Sequence, residues 1–178
     1  MTTVKRKTRE TNIRAQVTVG AGIAAVSTGV PFLDHMMTTL ARYSGLNITI
    51  EASGDLKHHV IEDVAIATGS ALKSAIPATC ARYGDRTVAM DEALVQVVID
   101  TGGRPFYEGP LPSSLYDHWM RSFADNAKIA IHLRAQRGKD RHHIVEAGFK
   151  ALGLALRDAL REGDTVFSTK GEVSMETE

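Results

Sequence analysis

His58-His59-Val60-Ile61-Glu62 returns 84 positions later as His142-His143-Ile144-Val145-Glu146. Continued to Ile76 and Leu160, the two stretches share eight identities: the two histidines, the glutamate, and Ala67, Gly69, Ala71, Leu72 and Ala75 against Ala151, Gly153, Ala155, Leu156 and Ala159. Random pairing at average composition gives roughly one identity over such a length. The match runs upstream, where Asp34-His35-Met36-Met37 faces Asp117-His118-Trp119-Met120, Ala41 faces Ala124, and Gly54 faces Gly138. Further back, Thr28-Gly29-Val30-Pro31-Phe32 resembles Thr101-Gly102-Gly103-Arg104-Pro105-Phe106, and the second copy carries an extra loop, EGPLPSSL. A repeat of this length is two copies of one structural unit. The boundary falls in the polar stretch Ala81–Arg86, dividing the chain into half-domains 1–84 and 85–178 that form one packed unit.

Each half reads strands, helix, strand, helix. In the first, Ala15–Val19 and Ala24–Ser27 are short strands around the turn Gly20-Ala21-Gly22. Pro31 opens a helix to about Arg42, and Gly45 closes that unit. Asn47–Ala52 alternates and is β-branched, hence a strand. A long helix runs from His58 to about Ile76, stopped by Pro77. In the second, Glu92–Thr101 is a strand, Ser114–Ala127 a helix, Lys128–Arg134 a strand and His142 to about Leu160 the second long helix. Both long helices carry Ala and Gly along one face, so they are expected to pack on each other beneath their sheets. The fold class is α+β, a tandem repeat with pseudo-twofold symmetry and long helices packed between two β-sheets.

Six of the seven histidines occupy matched positions: His35 with His118, His58 with His142, His59 with His143. His132 is the exception and reads as a structural or surface residue. On a helix, i and i+4 share a face, so His58 and Glu62, and likewise His142 and Glu146, can grip one ion. His59 and His143 point about 100° away round the helix. Two metal sites, each drawing on both halves, are the natural outcome. Imidazole with carboxylate suits Mn, Fe, Co, Ni or Zn, and the absence of thiolate ligands argues against a structural zinc site. One copy of His-His-x-x-Glu reads as well as a solvated helix start with glutamate in the favourable first turn. Two copies, each preceded in register by Asp-His, favour the metal.

Composition closes off other classes. The 178 residues balance 21 Lys and Arg against 21 Asp and Glu, so the chain lacks the basic excess of a dedicated nucleic-acid binder. A single cysteine, Cys80, excludes an internal disulfide framework and fits a reducing compartment. No apolar run is long enough to span a membrane, and the first ten residues, MTTVKRKTRE, lack the apolar core of a signal peptide. The expectation is a cytoplasmic protein with neither a nucleic-acid nor a membrane partner.

The motifs Thr28–Met36 (TGVPFLDHM), His58–Asp63 (HHVIED), Asp91–Phe106 (DEALVQVVIDTGGRPF), His142–Ala151 (HHIVEAGFKA) and Ser168–Gly171 (STKG) span nearly the whole chain. In them the sequence resembles the imidazoleglycerol-phosphate dehydratases of histidine biosynthesis. The resemblance implies a ribosomal protein S5 domain 2-like tandem fold, active sites at subunit contacts, and a homo-oligomeric shell of 24 subunits built from trimers. It implies two Mn2+ per active site, with ligands His35, His58, His59, Glu62, His118, His142, His143 and Glu146. Helix geometry and the repeat suggest one group of His58, Glu62, His118 and His143, and another of His142, Glu146, His35 and His59. The substrate phosphate is expected on Arg82, Arg104, Ser168 and Lys170, since guanidinium forks bind phosphate oxygens in pairs and lysine adds a point charge.

Three departures stand out: Thr39 where the family commonly has Gln, Tyr43-Ser44-Gly45 where it commonly has His-Gly, and a shortened loop, GDLKHH, before His58. The implied reaction removes the hydroxyl beside an imidazole ring and a hydrogen from the next carbon, giving imidazole acetol phosphate and water. That C–H is not acidic, so the ring must expel the hydroxyl first. Two cations favour the imidazolate, whose electrons can drive departure to a diazafulvene. Glu10 is the candidate acid–base group, with Glu62 and Glu146 the catalytic carboxylates at the metals. Two rivals remain open: a di-metal hydrolase of a small phosphorylated substrate, and a non-catalytic shell assembled by metal.

Overall fold

The computed structural model describes residues 2–169. The first half contains β1 (Thr3–Lys7), β2 (Thr11–Val19), β3 (Ala24–Ser27), α1 (Pro31–Ser44), β4 (Leu46–Gly54) and α2 (Lys57–Lys73). The second contains β5 (Tyr83–Met90), β6 (Ala93–Asp100), β7 (Phe106–Glu108), α3 (Ser114–Ala127), β8 (Ala130–Arg137) and α4 (Arg141–Ala159). The sheet orders are β1-β2-β4-β3 and β5-β6-β8-β7, the same arrangement twice. In each, three strands pair antiparallel, while the fourth (β3 or β7) joins parallel to β4 or β8 through the crossover helix α1 or α3.

Alternation along β2 and β6 decides which face each sheet turns inward. Ile13, Ala15 and Val17, and Val95, Val97 and Ile99, are buried, with polar or half-exposed neighbours between them. The helices fill the space between the sheets. α2 is buried on nearly all sides, from Val60 to Leu72, as a helix covered by a sheet and by another helix must be.

Three strands escape the sequence pattern. β1 (TVKRK) and β5 (YGDRTVAM) sit at sheet edges, where half-exposed backbone tolerates charge. β7 has only three residues, too few for a period. β2 also starts at Thr11, before the expected Ala15, and β5 begins at Tyr83 inside the polar stretch read as the boundary.

The two long helices do not pack on each other, contrary to expectation. α2 packs against α3, and α4 against α1. The small residues serve those contacts: a Cβ on Gly69 would lie 2.6 Å from the Phe123 carbonyl oxygen, and one on Gly153 would lie 2.7 Å from the Tyr43 Cβ. A small-residue face marks close approach without naming the partner. Each long helix therefore crosses to the short helix of the other half, so the halves interlock.

Gly69→Ala follows as a test. Alanine in a helix interior gains about 1 kcal/mol over glycine, but here the new methyl meets the backbone of α3, and overpacking costs about 1–3 kcal/mol. The clash should win, lowering the denaturation midpoint with an unchanged slope against denaturant. A midpoint at or above that of the parent would show that α2 and α3 separate freely.

Candidate metal centres and phosphate cleft

The paired Asp-His motifs sit at the starts of α1 and α3. Asp34 accepts the Thr28 backbone N–H at 2.9 Å and its hydroxyl at 2.6 Å. Asp117 accepts the Leu111 N–H at 2.9 Å and the Tyr107 hydroxyl at 2.5 Å. Each aspartate thus anchors the loop entering its helix, which fixes where the next residue, His35 or His118, projects. Sequence reasoning saw the pair but not this division of labour.

Because α1 lies on α4 and α3 on α2, each of these histidines meets the His-x-x-x-Glu of the other half. His35 Nε2 and His142 Nε2 each lie 3.1 Å from Glu146 Oε2, with the two rings stacked at 6.2 Å. His118 Nε2 lies 3.2 Å from Glu62 Oε1, and His58 Nε2 lies 3.6 Å from Glu62 Oε2. In each group the three donor atoms lie within 4.8 Å of one another. Neighbouring donors around an ion with bonds of about 2.1 Å are separated by about 3 Å, so the spacing fits a cation. His118 Nε2 is buried and, although 3.2 Å from Glu62 Oε1, is not aligned to hydrogen-bond with it, so a cation between them would satisfy both.

The groups are not equivalent. Glu146 is buried, whereas Glu62 is half-exposed, and Lys150 Nζ holds the Glu146 Oε1 at 3.0 Å. Burial pushes the Glu146 carboxyl up, but Lys150 and His35 outweigh it and the net shift is downward. The same lysine lies 5.8 Å from the Tyr43 ring, which places the unusual Tyr43 two contacts from a ligand carboxylate. Thr39 is buried in α1.

Within one chain, the fourth histidine of each expected group stands apart. His59 Nδ1 is 2.8 Å from Asp55 and 3.6 Å from Glu10, and these three make a further N/O group. His143 Nδ1 is 2.8 Å from Glu92, and its Nε2 is 3.5 Å from Asp91. The bond to Asp55 raises the His59 pKa, and the bond to Glu92 raises that of His143. Glu92 is held at about 2, first by the Asp140 N–H and then by His143. His132 lies exposed on β8, its ring 5.1 Å from Phe106.

Arg82, Arg104 and Ser168 line one cleft of about 1560 Å³, joined there by Lys73 and Lys128, which sequence reasoning did not single out. Arg82 is clamped by both oxygens of Asp100, at 2.7 and 2.9 Å, and donates to the Phe167 carbonyl at 3.2 Å. Lys170 lies outside the described residues. The cleft is at the C-terminal ends of α2 and α3, and His58 is at the N-terminal end of α2. At 1.5 Å per residue, His58 and Lys73 are about 22 Å apart along the helix.

The family model for imidazoleglycerol-phosphate dehydratase matches residues 28–156. The chain belongs to the imidazoleglycerol-phosphate dehydratase family. A member from Anaeromyxobacter sp. (strain K) is 41% identical over 186 aligned positions, covering 94% of this chain and 89% of its own. The crystal structure of the Pyrococcus furiosus enzyme in complex with (S)-C348 superposes with a TM-score of 0.87 at 36% identity, covering 96% of this chain and all of that one. The Staphylococcus aureus subsp. aureus N315 enzyme gives 0.81 at 34% identity over 92% of this chain. Family membership makes the chain a hydro-lyase of histidine biosynthesis, with the α+β tandem fold expected. No helix among the described residues is long and apolar enough to cross a membrane.

Proposed function

We propose that the protein dehydrates imidazole glycerol phosphate to imidazole acetol phosphate, using two Mn2+ held by the matched histidine–glutamate groups. The observation that carries this is the duplicated centre: two imidazoles and one carboxylate, drawn from both halves, occurring twice. Bound cations would stabilise the ring as the imidazolate, with neither nitrogen protonated, the form that can push out a neighbouring hydroxyl.

The remaining work falls to side chains of this protein. Arg82, Arg104, Ser168 and Lys170 bind the phosphate and so set where the three-carbon chain lies. Asp100 keeps the Arg82 fork in one orientation. Glu10, exposed in the β1–β2 turn beside His59, takes the proton from the carbon next to the leaving hydroxyl.

A three-carbon chain cannot bridge the roughly 20 Å between cleft and centre. The phosphate residues and the metal ligands of one active site therefore come from different copies, and His59 and His143 complete centres on neighbouring chains. This supports a homo-oligomer, with 24 subunits from trimers as the expected closed form. The test is an assay for imidazole acetol phosphate on metal-stripped and Mn-reconstituted protein. Turnover only after reconstitution supports the reading. Phosphate release would support a hydrolase, and an intact shell without turnover would leave assembly as the metal's role.

Glu10→Gln should abolish most turnover, by at least about 10²-fold for a lost acid–base group, while manganese content stays at the parental level. Unchanged turnover would remove Glu10 from the chemistry.

A further inference from the structure

His59 and His143 each donate through Nδ1 to a carboxylate at 2.8 Å, yet the two carboxylates come from unrelated places. Asp55 is local, in the shortened loop four residues before His59, and its Oδ1 also accepts the Leu56 N–H at 2.7 Å. Glu92 is 51 residues from His143, in the β5–β6 turn, and its other oxygen accepts the N–H groups of Lys139 and Asp140 at 3.0 and 2.8 Å. The repeat does not impose this: position 84 residues beyond Asp55 is Lys139, which cannot accept a hydrogen bond. The same contact has been built twice by different means.

We propose that Asp55 and Glu92 are positioning residues for the metal centres. Each carboxylate takes the Nδ1–H of its histidine, fixing the tautomer that leaves Nε2 with its lone pair and aiming that nitrogen away from the chain's own centre. This rests on the reading above, in which His59 and His143 serve neighbouring copies. A carboxylate on the far nitrogen of a ligating imidazole fixes ring orientation and raises donor strength, and losing such a partner costs about 10–100-fold in metal affinity. Glu92 ties the β5–β6 turn to the α4 entry and to His143 through one side chain. Asp91, at 3.5 Å from His143 Nε2, and Glu10, at 3.6 Å from His59 Nδ1, are the other charged groups facing these rings.

The test is Mn2+ binding to the full-length oligomer, by titration of the metal alone with bound ion counted by spin resonance, beside sedimentation for assembly. Parental protein should bind two Mn2+ per chain. Asp55→Ala should weaken one of the two equivalents about 10–100-fold, Glu92→Ala the other, and the double variant both. Glu92→Gln, whose amide oxygen can still accept the Nδ1–H, should recover most of the loss. Parental affinity for both equivalents in Asp55→Ala and Glu92→Gln alike, with Glu92→Ala also unaffected, overturns the proposal. If Glu92→Ala fails to fold because the α4 entry loosens, Asp55→Ala decides alone, since Asp55 holds only its own turn. No manganese binding by the parental protein would instead sink the metal reading itself.

Discussion

His142→Ala should lose one manganese equivalent per chain and at least about 10²–10³-fold in turnover while remaining folded. His142 lies 3.1 Å from the buried Glu146 carboxylate, beside His35. Its imidazole is half-exposed, with Phe32 at 4.9 Å between ring centroids, so truncation removes little buried area. The effect therefore divides cleanly: small on stability, large on chemistry. A cation supplies several kcal/mol of charge stabilisation, and each 1.36 kcal/mol is tenfold in rate, which sets the magnitude. Metal analysis, turnover and circular dichroism on one preparation check it. Two manganese equivalents and parental turnover in His142→Ala would exclude this residue as a ligand. His58→Ala should lose the other equivalent, because the groups share no residue.

Trp119→Ala should give the largest loss of stability of any single truncation. The indole is fully buried, stacked on Phe123 at 4.8 Å and tilted against Phe149 at 4.8 Å. Phe149 belongs to α4 and Trp119 to α3, so the cluster bridges the two helix pairs through the core. Removing a buried tryptophan costs about 3–5 kcal/mol, against a total of about 5–15 kcal/mol for a domain. Trp119→Phe should cost much less, because it also removes an indole N–H that has no partner. Denaturation of both variants with and without manganese checks this. Added metal should raise the midpoint of each, since an ion bound to residues from both halves stabilises the folded state by mass action. Equal midpoints for Trp119→Ala and the parent would remove the aromatic cluster from the stability argument.

Helices α1 and α2 were readable from Pro31, Gly45 and Pro77, and α3 and α4 because the repeat sets them in register with α1 and α2. The edge strands were not, because TVKRK and YGDRTVAM obey edge rules rather than core rules. The small-residue stripes were readable as close contacts, but Gly69 and Gly153 look identical in sequence whichever helix they face. The same limit applied to His59 and His143. Periodicity points them away from the i, i+4 pair, and only the folded chain brings Asp55 and Glu92 to them.

The sequence by itself determined the duplication, the ligand types and their spacing along each helix, because these are local properties of a 3.6-residue turn and of identical segments 84 positions apart. The tertiary structure brought together the cross-half groups that helix geometry and the repeat suggested, set the fourth histidine of each apart, and put the cation-lined cleft a helix length from the His58 centre. Those facts depend on α1 crossing to α4 and α3 to α2. Packing of that kind is chosen by shape and burial summed over both sheets, and no single segment encodes it.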